Sequence, residues 1–248
     1  MKLYAISDLH TDFLDNWNLI NQIGNYHQDA LIVAGDISDN LDIINKTFDV
    51  LQNKFKYVFY IPGNHELWTR NEQHDSLHKL DTVIHLCRNR GVITQPYKFK
   101  HNWIIPLFSW YNCAIPLNTK NIIGAWVDYH RCRWPLTDID LAEYFGSLNE
   151  PYLRTYEDTV ISFSHFLPTV KLLPHPQDLK FERLPEVSIS TVLAKQIKLI
   201  DSQIHIFGHS HINRDVFIDN VRYIQNALSY PRERKQDVVN LKFVLDLD

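Results

Sequence analysis

Cysteine is scarce: Cys87, Cys113 and Cys132 are odd in number, widely spaced and never arranged as Cys-x-x-Cys. That excludes a disulfide framework and a thiolate zinc site, and it predicts reduced, buried thiols. Long apolar runs are also missing. The run at residues 3–6 is short and flanked by Lys2 and Asp8, and no later stretch approaches a membrane span, so neither a signal peptide nor an anchor is expected and the cytosol is the expected compartment. Excess positive charge is missing too. A formal net charge of −4 and a pI near 6.3 argue against a protein that grips extended nucleic acid through a basic face. What remains is an ordinary soluble composition, 45% hydrophobic and 22% charged, over 248 residues, enough to bury a large core.

Apolar segments alternate with amphipathic ones. The β-leaning residues 3–7 lead to Asp8-Leu9-His10, and Trp17, Ile20 and Ile23 predict a helix from Asp15 to about Gln28. Ala30–Ala34 reads as a buried strand ending at Gly35-Asp36. A helix from about Asn40 to Asn53, capped by Ser38 or Asp39, precedes the strand Tyr57–Ile61, which ends at Pro62-Gly63-Asn64-His65-Glu66. A third helix, about Gln73 to Arg90, stops at Gly91. Val92-Ile93 and Trp103–Ile105 predict short strands. The period then fails between about 109 and 158, an aromatic-rich stretch read as an insertion over the site. Thr159–Ser164 predicts a strand ending at His165, Ser190–Ile200 a helix, and Ile204–Phe207 a strand ending at Gly208-His209-Ser210-His211. Val216–Ile218 and Val221–Ile224 flank the turn signal Asp219-Asn220, a hairpin, and Val238–Leu245 predicts a last strand. With no repeat, low-complexity tract or linker, residues 1–248 are expected to form a single domain.

Five predicted strands thus end at Asp8-x-His10, Gly35-Asp36, Gly63-Asn64-His65-Glu66, His165 and Gly208-His209-x-His211. In α/β folds with parallel strands, binding groups gather beyond the strands' carboxyl ends. Three of only seven glycines stand directly before a candidate ligand, where a sharp turn or close approach to a crowded centre is needed. Carboxylate, amide and imidazole donors without thiolate suit divalent transition metals. If the backbone at His209 and His211 is extended, both side chains lie on one side.

In their order and spacing these motifs resemble those of the calcineurin-like metallophosphoesterases, which run Asp-x-His, Gly-Asp, Gly-Asn-His-Asp/Glu, His and Gly-His-x-His. The resemblance implies a four-layer αββα sandwich, an α/β fold of two mixed β-sheets flanked by helices, the metallo-dependent phosphatase-like architecture. It also implies a dinuclear centre. Asp8, His10 and His211 would hold one ion, Asn64, His165 and His209 the other, and Asp36 would bridge them, so that His209 and His211 serve different ions. The implied cofactors are two divalent transition-metal ions, manganese first, with iron, zinc, cobalt or nickel also accepted by such a donor set. Two metals about 3.5–4 Å apart can share a water, lower its pKa and hold it in line with phosphorus. The implied activity is hydrolysis of phosphate mono- or diesters, as a phosphatase or phosphodiesterase, by attack of a metal-bridging hydroxide. Against Asp8 and Asp36 the two ions leave a formal surplus of about two positive charges, suited to a phosphate anion.

His65 is implied to face the scissile ester oxygen and assist the leaving group; a substrate-binding role is its alternative. Glu66 reads as a loop or helix-start residue against a helix dipole, and His85, His101 and His205 have no role in the pattern. Trp110, Tyr111, Arg131 and Trp134 could supply stacking and anion contacts or form the core of a subdomain, and Arg232, in the charged segment Tyr230–Lys235, could reach the phosphate. A small diester or nucleotide-like substrate is favoured. The rivals are a nuclease, a protein phosphatase and a non-catalytic scaffold of the same fold, the last opposed by the retention of every motif residue.

Overall fold

Ala30 to Ala34 is buried on both faces, which is why its apolar run shows no alternation. The computed structural model describes residues 1–69, 72–112, 124–135, 140–234 and 237–247; Cys113, Lys235 and parts of the 109–158 stretch lie outside them. The strands are β1 (Lys2–Ile6), β2 (Tyr26–Ala34), β3 (Phe55–Ile61), β4 (Tyr97–Phe99), β5 (Asn102–Pro106), β6 (Thr159–Phe163), β7 (Ile204–Phe207), β8 (Arg214–Ile218), β9 (Val221–Gln225) and β10 (Lys242–Asp246). The helices are α1 (Leu14–Asn21), α2 (Leu41–Gln52), α3 (Ser76–Arg90), α4 (Asp128–Arg131), α5 (Leu141–Ser147) and α6 (Thr191–Leu199).

Two mixed sheets form, in the orders β10-β1-β2-β3 and β4-β5-β6-β7-β9-β8. β1, β2 and β3 are parallel, as are β5, β6, β7 and β9, while β10, β4 and β8 pair antiparallel at the edges. Ala30, Ile32 and Ala34 face the second sheet and meet Ile104, Ile161 and Ile206. Leu31 and Val33 face the opposite way, onto Ile20 of α1, Phe48 of α2 and Val83 of α3. Beyond the second sheet, Ile105 and Val160 pack on Leu193 and Ile197 of α6. These four layers are the sandwich expected of the motif set. No described helix is long and apolar enough to cross a membrane.

Several boundaries differ from the sequence reading. The first helix ends at Asn21, not Gln28, because Tyr26 pairs with Phe55 and the residues after Gly24 extend β2. Asn40, rather than Ser38 or Asp39, caps α2 by accepting from the backbone N–H groups of Asp42 and Ile43. β4 was not anticipated, and Val92-Ile93 contributes only a bridge from Ile93 to Phe59. The last strand is Lys242–Asp246, shorter than Val238–Leu245. The hairpin is as expected: Asp219 and Asn220 both have positive φ, the two-residue turn whose twist matches that of the strands. Cys87 is buried and Cys132 partly so, both as free thiols.

Candidate metal centre

The five strand-end motifs meet where the carboxyl ends of the two sheets adjoin. Their loops are tied to one another by backbone hydrogen bonds: Asp8 N–H to Gly35 O, His10 N–H to Asp36 O and Gly208 N–H to His165 O. Among the described residues ten non-glycines have positive φ, and five of them are Asp8, His10, Asp36, His209 and His211. Such backbone is uncommon for residues with a Cβ and persists where the surroundings over-determine it. His209 (φ 70) and His211 (φ 56) are therefore not on an extended strand end. The alternation expected to put their side chains on one side fails, and they point into different clusters.

The first cluster is Asp8, His10, Asp36 and His211, and the second Asp36, His165 and His209; in each, one donor atom per residue lies within 4.8 Å of the others. In the first, His211 Nε2 is 3.4 Å from Asp8 Oδ1 and 3.1 Å from His10 Nε2. Glu233 stands behind it, accepting from His211 Nδ1–H at 2.6 Å, which leaves Nε2 facing inward. In the second, His165 Nδ1–H donates to Ala34 O at 2.9 Å, and Nε2 lies 3.4 Å from Asp36 Oδ2. Asn64 completes this cluster, its Oδ1 3.0 Å from both His165 Nε2 and His209 Nδ1.

The orientation of the Asn64 amide is set by Asp128, a buried carboxylate in the stretch read as an insertion. Asp128 Oδ1 accepts from Asn64 Nδ2 at 2.8 Å and from Trp68 Nε1 at 2.7 Å, and its Oδ2 accepts from Trp126 Nε1 at 2.8 Å. An ionised carboxylate only accepts, so it claims the amide nitrogen and turns the amide oxygen toward the histidines. Glu66 plays a comparable part from inside. It is fully buried and accepts from the backbone N–H groups of Gly63 (2.7 Å), Asp36 (3.1 Å), Ile37 (2.5 Å) and Ser38 (3.3 Å). This corrects its reading as a residue facing a helix dipole: it splints the β2 and β3 loops, and burial with Asp36 nearby pushes its carboxyl up to about 7.

The crowding explains two of the glycines. A Cβ on Gly63 would lie 2.2 Å from Asp36 Oδ1, and one on Gly35, where φ is +85°, 2.4 Å from His165 Nδ1.

The electrostatics call for cations. Burial alone would raise the carboxyls of Asp8 and Asp36, yet His211 lowers the first and His165 with His65 hold the second well below its usual range. Reciprocally, Asp36 outweighs burial to bring His165 up to about 9, and Asp8 does the same for His211, up to about 10. Burial, then the electrostatic influence of a neighbouring histidine, pushes His10 well down and His209 down to about 3. Two buried carboxylates that pull protons onto adjacent imidazoles form a pocket that divalent ions can satisfy in the protons' place, and the N/O donor set suits such ions.

A cavity of about 390 Å³ opens over both clusters, lined by His65, Trp68, Trp126, Phe181, Tyr230 and Arg232 among others. A second lobe of about 440 Å³, shared at His65, Trp68, Tyr230 and Arg232, extends past Asp12, Phe13 and Pro231. His65 stands between the lobes, its ring packed on Trp68 at 3.6 Å and tilted by 31°, with Nε2 3.9 Å from Asp36 Oδ2.

Of the substrate contacts expected from sequence, Arg232 lines the cavity. Trp110 is buried in the core between Phe145, Trp134 and Phe166, and Tyr111 is buried against Phe166. Arg131 is exposed, 6.0 Å from the Trp68 ring. The aromatic walls come from Trp68, Trp126, Phe181 and Tyr230, while Trp110 and Tyr111 belong to the core cluster that the two sheets share, with Trp134 packed against it. Asp128, Tyr230 and Glu233 escaped the sequence reading. The Asn-His-Glu motif gives no hint of a partner 64 residues away, although a lone acid between Trp126 and Tyr129 was a visible signal. Elsewhere, His205 is buried among serines, while His101 pairs with Asp158 at the surface and His85 is exposed.

The sequence pattern of the family described as calcineurin-like phosphoesterase matches residues 1–213. The chain is similar to the [acyl-carrier-protein] phosphodiesterase PptH of Mycobacterium tuberculosis, 29% identical over 93% of this chain and 78% of that protein. The crystal structure of that phosphopantetheinyl hydrolase superposes with a TM-score of 0.81 at 25% identity, covering 98% of this chain and 95% of that one. An uncharacterized protein of Acanthamoeba polyphaga mimivirus is 28% identical over 33% of the chain. With five ordered motifs converging on two donor clusters in an αββα sandwich, this chain belongs to the calcineurin-like phosphoesterases and is a hydrolase of phosphoesters.

Proposed function

We propose that the protein is a two-metal phosphodiesterase that releases a phosphopantetheinyl group from an acyl carrier protein. The observation that carries the metal chemistry is the pair of donor clusters sharing Asp36. The substrate class rests on the likeness to PptH, which runs through 93% of the chain. Asp8, His10 and His211 would hold one ion and Asn64, His165 and His209 the other, with Asp36 between them, and ligands drawn from residue 8 to residue 211 favour residues 1–248 working as one domain. Ions bound there supply Lewis acidity toward a phosphoryl oxygen and an activated water.

The chain's own residues do the rest. His65 lies where it can protonate or hydrogen-bond the departing oxygen. Trp68, Trp126 and Phe181 give an apolar wall for the neutral arm of the substrate and keep water off the phosphoryl group. Arg232 supplies a cation at the rim where an anionic ester enters. No serine or cysteine nucleophile is required. The aromatic walls also favour a second reading, a small diester with a planar base stacked on Trp126 or Trp68.

The test is metal-stripped protein reconstituted separately with Mn, Fe, Co, Ni or Zn and incubated with an acyl carrier protein bearing its phosphopantetheinyl group. Intact-mass spectrometry should show metal-dependent loss of that group, with no change in the chelated control. If the carrier stays intact with every metal while small nucleotide diesters are cleaved, the second reading replaces the first. Cleavage of phosphopeptides alone would point to a protein phosphatase.

A further inference from the structure

The family match ends at residue 213, yet the loop after β9 reaches into the centre. Its one-turn 3-10 helix Pro231–Glu233 is closed by the Glu233 carboxylate, which accepts from Tyr230 N–H at 3.3 Å and from His211 Nδ1–H at 2.6 Å. The start of that loop is tied to the first motif, with Ser229 N–H donating to Asp8 O at 3.0 Å. The Asn16 side chain, buried beneath, donates to Ser229 O at 2.9 Å. The Tyr230 side chain is thereby held at a fixed place. Its ring stacks on His10 at 4.2 Å and meets Phe13 and His211 edge-on at 5.5 and 5.0 Å. Its hydroxyl lies 3.1 Å from His65 Nε2.

We propose that Tyr230 is a positioning residue for His65, its hydroxyl fixing the Nε2 corner of that ring at the junction of the two cavity lobes. Packing on Trp68, at 3.6 Å and tilted by 31°, supports one face of the His65 ring but directs no hydrogen bond to Nε2. Among the described residues Nε2 lies 3.9 Å from Asp36 and 3.1 Å from the Tyr230 hydroxyl, and the His10 ring meets the His65 ring edge-on at 4.7 Å. At 3.9 Å the carboxylate attracts the ring without directing a hydrogen bond. The phenol alone lies within hydrogen-bond distance, and it is carried by a loop whose Glu233 also backs His211. One short segment thus orients both a candidate metal ligand and the residue that faces the leaving oxygen. Tyr230 lines both lobes, so its hydroxyl stands beside His65 at their junction. A ring misaligned by an ångström forfeits much of a proton donor's advantage, because the benefit depends on near-attack geometry.

The inference rests on the phosphoesterase reading and on His65 as the leaving-group residue, and the test separates the two. Tyr230→Phe keeps the ring stacked on His10 and removes only the oxygen. With the reconstituted protein, kcat is measured on a matched pair of diesters, one with a nitrophenolate and one with an alkoxide leaving group, for wild type, Tyr230→Phe, His65→Asn and the double variant. His65→Asn should lose about 10²-fold or more on the alkoxide substrate and far less on the nitrophenolate. Tyr230→Phe should lose about three- to tenfold on the alkoxide substrate, the worth of one hydrogen bond, with KM and the nitrophenolate rate unchanged. In the double variant the two losses should fail to multiply, because the tyrosine acts through the histidine. Equal loss on both substrates, or full multiplication in the double variant, overturns the role of Tyr230 while leaving that of His65 intact. If His65→Asn is insensitive to the leaving group, both fall.

Discussion

The two donor clusters use the same chemistry but lean on different parts of the molecule. Each contains one histidine with an acceptor behind it and one whose outward nitrogen is buried without a partner among the described residues, His10 Nδ1 in the first and His209 Nε2 in the second. The acceptors differ. His211 is backed by Glu233, a carboxylate on a loop at the surface, and its side chain is 14% exposed. His165 is backed by the backbone carbonyl of Ala34 and is 1% exposed, and its neighbour Asn64 is backed by Asp128 beneath two tryptophans. One cluster is backed from a loop at the surface and the other from the interior, while both face the same cavity. In a two-metal phosphoesterase this asymmetry would give the ions different lability.

The widest test of the comparison removes what both sides share. Asp36→Ala should abolish phosphodiester hydrolysis, by about 10³-fold or more given the several kcal/mol a metal pair supplies, and metal analysis should find both ions lost. Retention of wild-type metal content would mean that Asp36 does not join the clusters. The next test breaks one side at a time. Asp128→Ala should weaken the Asn64 side and Glu233→Gln the His211 side, each by about 10- to 100-fold in metal affinity or activity. Calorimetric metal titration should show one of two binding phases moving in each variant. Loss of the same phase in both would erase the distinction.

A smaller effect lies outside the centre, at His205 in β7. Ser164 donates its hydroxyl to Phe166 O, so His205 Nε2–H donates to Ser164 Oγ at 3.0 Å and Nδ1 accepts from Ser162 at 2.7 Å. Burial pushes this imidazole down to about 3. Between pH 6.5 and 3 the unfolded chain binds a proton that the folded chain refuses, so stability falls as pH drops below 6.5, by about 1.4 kcal/mol per unit or about 2 kcal/mol by pH 5. Chemical denaturation of the chelated protein at pH 7 and pH 5 should show His205→Gln losing less stability across that interval than wild type. An identical slope would assign the acid sensitivity to other groups.

Most of the fold could be read from the chain because apolar runs and glycine stops are local signals. The Ala30–Ala34 run, the cap region of α2, Gly91 at φ 72 and the Asp219-Asn220 turn all declare themselves within a few residues. So do the strand-end motifs, whose residues the structure brings together. What stayed hidden depends on partners distant in sequence. Asp128 acquires meaning only when Asn64 and Trp68 arrive beside it, and Tyr230 only when His65 and His10 do. Glu66 looked like a helix-start acid because nothing near it shows that four amides of two loops point at one spot. Trp110 illustrates the converse. Its ring suggested a binding surface, and the packing of Phe145, Phe166 and Trp134 around it shows it in the core.

β1 lies between β2 and β10, so the strand carrying Asp8 and His10 acquires its second neighbour only after nearly all the intervening sequence has been made. Residues 2–6 pair with residues 30–33 on one side and with residues 242–246, far along the chain, on the other. Tyr230 and Glu233, also late to appear, touch the early histidine His10 and the late one His211. The centre is therefore assembled by long-range contacts, the kind whose loop-closure entropy must be met before they are rewarded. The donor groups lie far apart in sequence and nothing local holds them together, so the capacity to cut a phosphoester belongs to the assembled topology rather than to any one loop.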